Sequence, residues 1–282
     1  MLTLDKLTYA GDKQNLSLVS REKNHQFIKA DINNLSCLRE IFLDFKPEIV
    51  VNFAAETHVD NSIEDPEIFI KTNVLGVQNL LYLSENIKVK KFIQISTDEV
   101  YGSTHKGEFT EQSPLAPNSP YSASKAAADL LCRSYKKTFQ TNTMIIRCVN
   151  NFGTRQFPEK LIPFSIKKLL NKEKISLYGD GKNVREWIFV RDFALAVEFL
   201  MHQGKIGEIY NVGSGYRLSN LEIAQKILGI FSLPSDHIEF VTDRPGHDFR
   251  YALNCDRIRN LGWQAKFNFD VALKETVECF TN

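Results

Sequence analysis

The run "KFIQISTDEVYG", residues 91–102, decides how the rest of the chain is read. Its first part, "KFIQIST", is nearly continuous in apolar residues, as a parallel strand covered on both faces must be. It ends on a hydroxyl, Thr97, and two adjacent acids, Asp98 and Glu99. In isolation two acids read as a solvated turn, but a turn is satisfied with one carboxylate. Two at the end of a buried strand, between Ser96-Thr97 and Val100-Tyr101-Gly102, read as a site.

Working outward, "EIVVNFAA" (48–55) is a second run of the same kind, and "TMIIRCVNNFG" (143–153) is a strand ending in polar residues. Between them lie helical patterns. "DPEIFIKTNVLGVQNLLYLSENI" (65–87) carries Pro66 near its start. "SPYSASKAAADLLCRSYKKTF" (119–139) begins with Ser119 as N-cap and Pro120 at the first helical position. Strand and helix in alternation predict an α/β fold, a doubly wound parallel sheet with right-handed crossovers. Beyond about residue 155 the pattern loosens into "PFSIKKLLN", "ISLYGDG", "GEIYNVGSG", "SNLEIAQKILGIF" with a capping box of Ser219 and Glu222, and "FDVALKETVECF". We read residues 1–155 as a Rossmann-type domain and 156–282 mainly as a smaller substrate-binding lobe, partly woven into the first.

With 282 residues, 43% apolar and 24% charged, the chain can bury a large core. A net charge of +1 gives no electrostatic reason to expect nucleic acid or an anionic membrane as partner. No apolar run approaches the roughly 18 residues of a membrane span, and the start "MLTLDKLTYAGD" is not a signal peptide. Five scattered cysteines without CxxC spacing read as buried thiols of a cytoplasmic protein, with no disulfide frame and no metal site.

Tyr121 and Lys125 stand four apart on one helix face. A phenol, with an unperturbed pKa of about 10, becomes a usable base when an ammonium stabilises its anion. A YxxxK spacing alone also describes many surface helices. Together with Thr97, "NFAAETH" (52–58) and "RCVNNFG" (147–153), all at strand carboxyl ends where ligands of open α/β sheets bind, it resembles the extended short-chain dehydrogenase/reductase superfamily. Within that superfamily the chain resembles the nucleotide-sugar 4,6-dehydratases, above all those acting on dTDP-glucose. The resemblance runs from residue 1 to about 280, through "LDKLTYAG" (4–11), "NFAAETHVDNSIEDP" (52–66), "ISTDEVYG" (95–102), "APNSPYSASKA" (116–126), "QFPEKLIP" (156–163), "YGDGKNVREW" (178–187) and "DRPGHDFRY" (243–251).

The resemblance implies NAD as cofactor and dTDP-glucose as substrate. Oxidation at sugar C4 acidifies the C5 proton, water leaves across C5 and C6, and the borrowed hydride returns to C6. By resemblance Tyr121 takes the C4 hydroxyl proton, Lys125 tunes it, Thr97 bonds the reacting oxygen, Glu99 is the C5 base and Asp98 the acid for the leaving hydroxyl. Two carboxylates with opposed tasks need unequal environments. Epimerases of the superfamily lack the acid pair; an epimerase, a UDP-sugar dehydratase and an inactive nucleotide-binding remnant are the competing readings.

For the cofactor, Asp5 follows a strand and fits a ribose 2′-hydroxyl, favouring NAD over NADP. It also reads as a cap or loop acid. Asp31 and Ile32 resemble the adenine contact, and Ala54 and Ala55 are small enough for close approach. Thr72 matches a further position near the cofactor, and Asn150 one near the substrate. For the substrate, Arg185, Arg244 and His247 resemble the diphosphate and nucleotide contacts, for which an Arg fork is suited. Glu159, Lys160, Leu161, Tyr178 and Asn220 resemble other nucleotide contacts. His58 reads equally as a core-edge histidine. The helices at 65–87 and 119–139 resemble a dimer-forming pair, so a homodimer is expected.

One family element has no counterpart. The family opens with a strand and a GxxGxxG loop, whereas the first glycine here is Gly11. In the order 3-2-1-4-5-6 that strand is central. Its absence predicts two strands without ladder partners, separated by about 10 Å. It also predicts weak NAD binding, low stability and a coding start upstream of Met1.

Overall fold

The computed structural model describes residues 1–281. Its first strands are β1 (Leu2–Asp5), β2 (Gln26–Lys29), β3 (Ile49–Asn52), β4 (Lys91–Thr97) and β5 (Thr143–Cys148). They are followed by β6 (Asn150–Phe152), β7 (Ile175–Tyr178), β8 (Val184–Phe189), β9 (Ile209–Val212), β10 (Arg217–Ser219) and β11 (Ile238–Val241). The helices are α1 (Leu35–Phe45), α2 (Val59–Glu64), α3 (Pro66–Ile70), α4 (Val77–Asn86), α5 (Pro120–Phe139) and α6 (Leu161–Leu170). After them come α7 (Val190–Gln203), α8 (Asn220–Phe231), α9 (Asp256–Asn260) and α10 (Phe269–Thr281).

The main sheet is β3-β4-β5-β9, all parallel. All six residues of β5 are buried, as befits a strand paired on both edges and covered on both faces. β1 and β2 form a separate parallel pair. No strand among the described residues joins β1 to β3, so β1-β2 and β3-β4-β5-β9 are separate sheets. Two smaller sheets are β10-β8-β6, whose β6 follows β5 directly in the chain, and the parallel pair β11-β7.

The apolar residues gather in three clusters. One joins Ile93 of β4 and Met144 and Ile146 of β5 to Phe193, Ala196 and Leu200 of α7 and to Leu253 and Ile258 near the end of the chain. A second packs Leu38 and Phe42 of α1 against Val77 and Leu81 of α4, with Phe92 and Ile145 of the sheet. The third holds Ile162 and Ile166 of α6, Ile223 and Ile227 of α8 and Leu273 and Val277 of α10 around Phe152 and Trp187. Burying each Val, Leu, Ile, Phe or Met side chain among them stabilises the fold by about 1.5–3 kcal/mol.

Capping follows the sequence. Ser119 and Ser122 close a capping box at α5 with Pro120 in the first turn, and Ser219 and Glu222 do so at α8. The 65–87 pattern does not give one regular helix. α3 passes into a π-helical turn, Lys71–Gly76, before α4. There the Asn73 amide is turned inward, and Gly76 packs so tightly that a Cβ would lie 2.4 Å from Ile32 Cδ1. Such bulges recur at functional sites. The reading of all five cysteines as buried also needs correction: Cys132, Cys148 and Cys255 are buried, but Cys37 is half-buried and Cys279 exposed. Among the described residues no helix is long and apolar enough to cross a membrane.

Candidate active site

β4 delivers its last residue, Thr97, into a short 3₁₀ turn, Asp98–Tyr101. Thr97 Oγ1 accepts from the amide of Glu99 at 3.3 Å and donates to Asp98 Oδ1 at 3.2 Å. The turn closes on Gly102 at φ +78°, where a Cβ would meet the Ala116 carbonyl oxygen at 2.3 Å. The two acids are therefore held by the strand end, not left on a free loop.

They sit in unequal surroundings. Asp98 is 2% exposed, and its Oδ2 has no hydrogen-bond partner. Burial, reinforced by the Glu99 charge, pushes its carboxyl well above the usual range, and Arg185 opposes this. Glu99 is also raised by burial, but Arg185, Arg244 and Lys160 all pull it down. Burial thus favours the protonated form at both acids, and more strongly at Asp98, where one cation, Arg185, opposes it, than at Glu99, where three do.

Tyr121 and Lys125 lie in the first turns of α5, both buried. Lys125 Nζ donates to the carbonyl oxygen of Ile95 in β4 at 2.6 Å, and burial lowers its pKa. Burial, together with the Glu99 charge, raises Tyr121 well above its ordinary value, and the nearby Thr97 hydroxyl offsets this only in part. The sequence reading expected Lys125 to lower this phenol. Lys125 is instead spent on a backbone carbonyl, and the acid pair works in the opposite sense.

Beyond β3, Ala54 donates its amide to Asn52 Oδ1 at 3.2 Å, and the half-buried Ala55 leads to Glu56. Asn73, next to Thr72, exchanges two 2.9 Å hydrogen bonds with the Glu56 backbone and reaches Ser124 Oγ at 2.8 Å. His58 caps α2, its Nδ1 accepting from the Asn61 amide at 3.4 Å. At the ends of β1 and β2, Asp5 Oδ1 accepts from its own Leu7 amide at 2.6 Å. Asp31 binds Lys6 at 2.7 Å, and Ile32 offers its carbonyl to Asn79.

The residues expected to hold a nucleotide fall into two groups. Tyr178 donates to Asp60 Oδ2 at 3.2 Å, Arg244 reaches Asp60 Oδ1 at 3.3 Å, and His247 lies 2.6 Å from Asp243. Burial, with Arg244 close by, lowers the His247 pKa. Glu159 accepts from Tyr9 at 3.0 Å, and Lys160 donates to the Thr57 carbonyl at 2.9 Å. Leu161 starts α6, and Asn220 starts α8 with its amide on the Asn183 carbonyl. Arg185, 5% exposed, places its fork on the carbonyls of Val184, Asp248 and Phe249 and stacks over Tyr251 at 4.3 Å.

Sequence reasoning missed Asn73, Asp60 and Asn151. Asn73 and Asp60 bond to residues far along the chain, whereas Asn151 bonds locally, to Cys148, Val149 and Gln156, and lay unremarked inside "RCVNNFG" as Asp60 did inside "HVDNS". Among the buried polar atoms without partners are Asp98 Oδ2, Asn150 Oδ1, Asn151 Oδ1 and Arg244 Nε. Buried polar groups are paired as a rule, so these four have capacity for a polar ligand.

Comparisons with known proteins agree. The model of the GDP-mannose 4,6-dehydratase family matches residues 1–276. The chain is 49% identical over 280 residues to the low-salt glycan biosynthesis protein Agl12 of Haloferax volcanii, covering 99% of this chain and 90% of that one. It is 41% identical over 278 residues to a dTDP-glucose 4,6-dehydratase of Streptomyces niveus, covering 98% and 82%. A dTDP-glucose 4,6-dehydratase of Streptomyces venezuelae, solved with NAD bound, superposes with a TM-score of 0.96 at 41% identity, over 99% and 87% of the two chains. With the family model matching nearly the whole chain and relatives 40–49% identical over 97–99% of it, this chain belongs to the GDP-mannose 4,6-dehydratase family.

Proposed function

We propose that this protein is an NAD-dependent hydro-lyase that converts dTDP-glucose into dTDP-4-keto-6-deoxyglucose. The observation that carries the reading is the inequality of Asp98 and Glu99 at one strand end, since an epimerase has no use for it. The fit to the cofactor rests on chain geometry: Asp5, Asp31 and Ile32 at the ends of β1 and β2, Ala54 and Ala55 after β3, Thr72 beside the π-helical turn, and Tyr121 with Lys125 on α5. These residues would hold NAD, which would supply the acceptor for the C4 hydride and its donor to C6.

Tyr121 removes the C4 hydroxyl proton, with Thr97 bonded to the same oxygen. Lys125, anchored on Ile95, holds a positive charge behind the phenol. Glu99 takes the C5 proton and gives a proton back to C5 when hydride adds at C6. Asp98 gives its proton to the C6 hydroxyl, which leaves as water. Arg185, Arg244 and Lys160 balance the negative charge of the substrate diphosphate and offset part of the burial that raises Glu99. Asn150, His58, Glu159, Leu161, Tyr178, Asn220 and His247 line the nucleotide and sugar path. Residues 1–155 hold the cofactor and 156–282 mainly the nucleotide. The chain acts in the cytoplasm as a homodimer; Ile68, Ile70, Leu75, Tyr82 and Leu130, exposed on α3 to α5, supply an apolar face for a second copy.

The test is incubation with dTDP-glucose at saturating NAD. A 4-keto-6-deoxy product absorbing in alkali is expected, and UDP-glucose should compete poorly. A 4-epimer in place of that product sinks the reading.

A further inference from the structure

Arg147 of β5 is 1% exposed and uses its guanidinium in two directions. Nε donates to Asp129 Oδ2 at 2.8 Å, and one terminal nitrogen donates to the Tyr101 hydroxyl, also at 2.8 Å, while the guanidinium stacks over the Tyr101 ring at 4.7 Å. Asp129 is fully buried on α5, four residues after Lys125 and eight after Tyr121, on the same helical face. Tyr101 closes the 3₁₀ turn that carries Asp98 and Glu99. Its hydroxyl donates onward to Asn211 Oδ1 of β9 at 2.7 Å. Arg147 itself lies beside Ser96 in the sheet register, one residue before Thr97. One side chain thus touches both halves of the catalytic apparatus, the helix of the oxidation pair and the turn of the dehydration pair.

A buried ion pair is poor evidence of stabilisation, because desolvation cancels much of the attraction and apolar replacements often do as well. Two acceptors on different segments, together with a stacked ring, are a task for a planar fork and not for a lysine. We propose that Arg147 is a positioning residue for the dehydratase reaction: by binding Tyr101 and Asp129 at once it sets the separation between Asp98–Glu99 and Tyr121–Lys125, so that both pairs meet the same hexose. This rests on the dehydratase reading given above.

The test combines Tyr101→Phe, Asp129→Asn and the double variant. Each single change breaks the bridge, so the denaturation midpoint of the double variant should fall by clearly less than the sum of the singles. In turnover, Tyr101→Phe should slow water loss by about 100-fold while C4 oxidation stays within about threefold. dTDP-4-ketoglucose, which lacks two hydrogens of the substrate, should then accumulate and be seen by mass spectrometry. Additive midpoints, or both half-reactions falling in parallel, overturn the positioning role. Should Asp129→Asn fail to fold, the product split of Tyr101→Phe decides alone. A parent chain that makes no keto sugar overturns the dehydratase reading and this role with it. An active parent with an additive cycle overturns this role only.

Discussion

Lys125 Nζ and the carbonyl oxygen of Ile95 are 2.6 Å apart, a bond that fastens the helix of Tyr121 to the strand that ends in Asp98 and Glu99. Lys125 is therefore a structural tie as well as a charge beside the phenol. Lys125→Met should leave a buried carbonyl without its donor and cost roughly 1–3 kcal/mol of stability. It should also lower the C4 oxidation rate. Denaturant midpoints and product formation on the same preparation check both; an oxidation rate equal to the parent's removes Lys125 from the reaction.

Asp98→Asn separates the two stages. C4 oxidation should continue, because Tyr121 is untouched, while water loss should slow by roughly 100-fold to 10,000-fold, the usual weight of a general acid. Exchange of the C5 proton with heavy water should persist, since Glu99 remains. Dehydration at the parent rate would show that the proton comes from elsewhere.

Asp98 also gives stability a pH slope. Its folded pKa lies above the unfolded value, so between the two the native state holds a proton that the unfolded chain has lost. The resulting stability is complete below the ordinary carboxylate value and is lost as pH rises through the folded pKa. Compared from about pH 4 to about pH 8, Asp98→Asn should lose less stability than the parent. Parallel curves would contradict the burial of a protonated acid.

Gly102→Ala tests the turn. With φ at +78° and a backbone oxygen 2.3 Å from the new Cβ, neither rotation nor side-chain adjustment relieves the contact. A loss of roughly 1–3 kcal/mol is expected, together with loss of dehydration as Asp98 and Glu99 shift. A variant of parent stability would mean that the Ala116 segment yields freely.

Much of this was legible. Residues 91–97 form a strand at those bounds because burial on both faces leaves a continuous apolar run. α5 announces itself through Ser119 and Pro120. α7 does not: it follows Phe189 of β8 directly, with no capping side chain, so the usual start signal is missing. The π-helical turn depends on Asn73 reaching Glu56 and Ser124, 17 and 51 residues away. Asp60 meets partners 118 and 184 residues distant. No local pattern encodes contacts of that range, whereas the acid pair and YxxxK are local and could be read directly.

The division of the sheet has a dynamic consequence. β1 and β2 bond only to each other, four residues each, and a two-stranded pair is marginal on its own. Local opening should start at that corner, so the amides of Phe27 to Lys29 should take up deuterium long before those of Ile145 and Ile146, which β4 and β9 enclose.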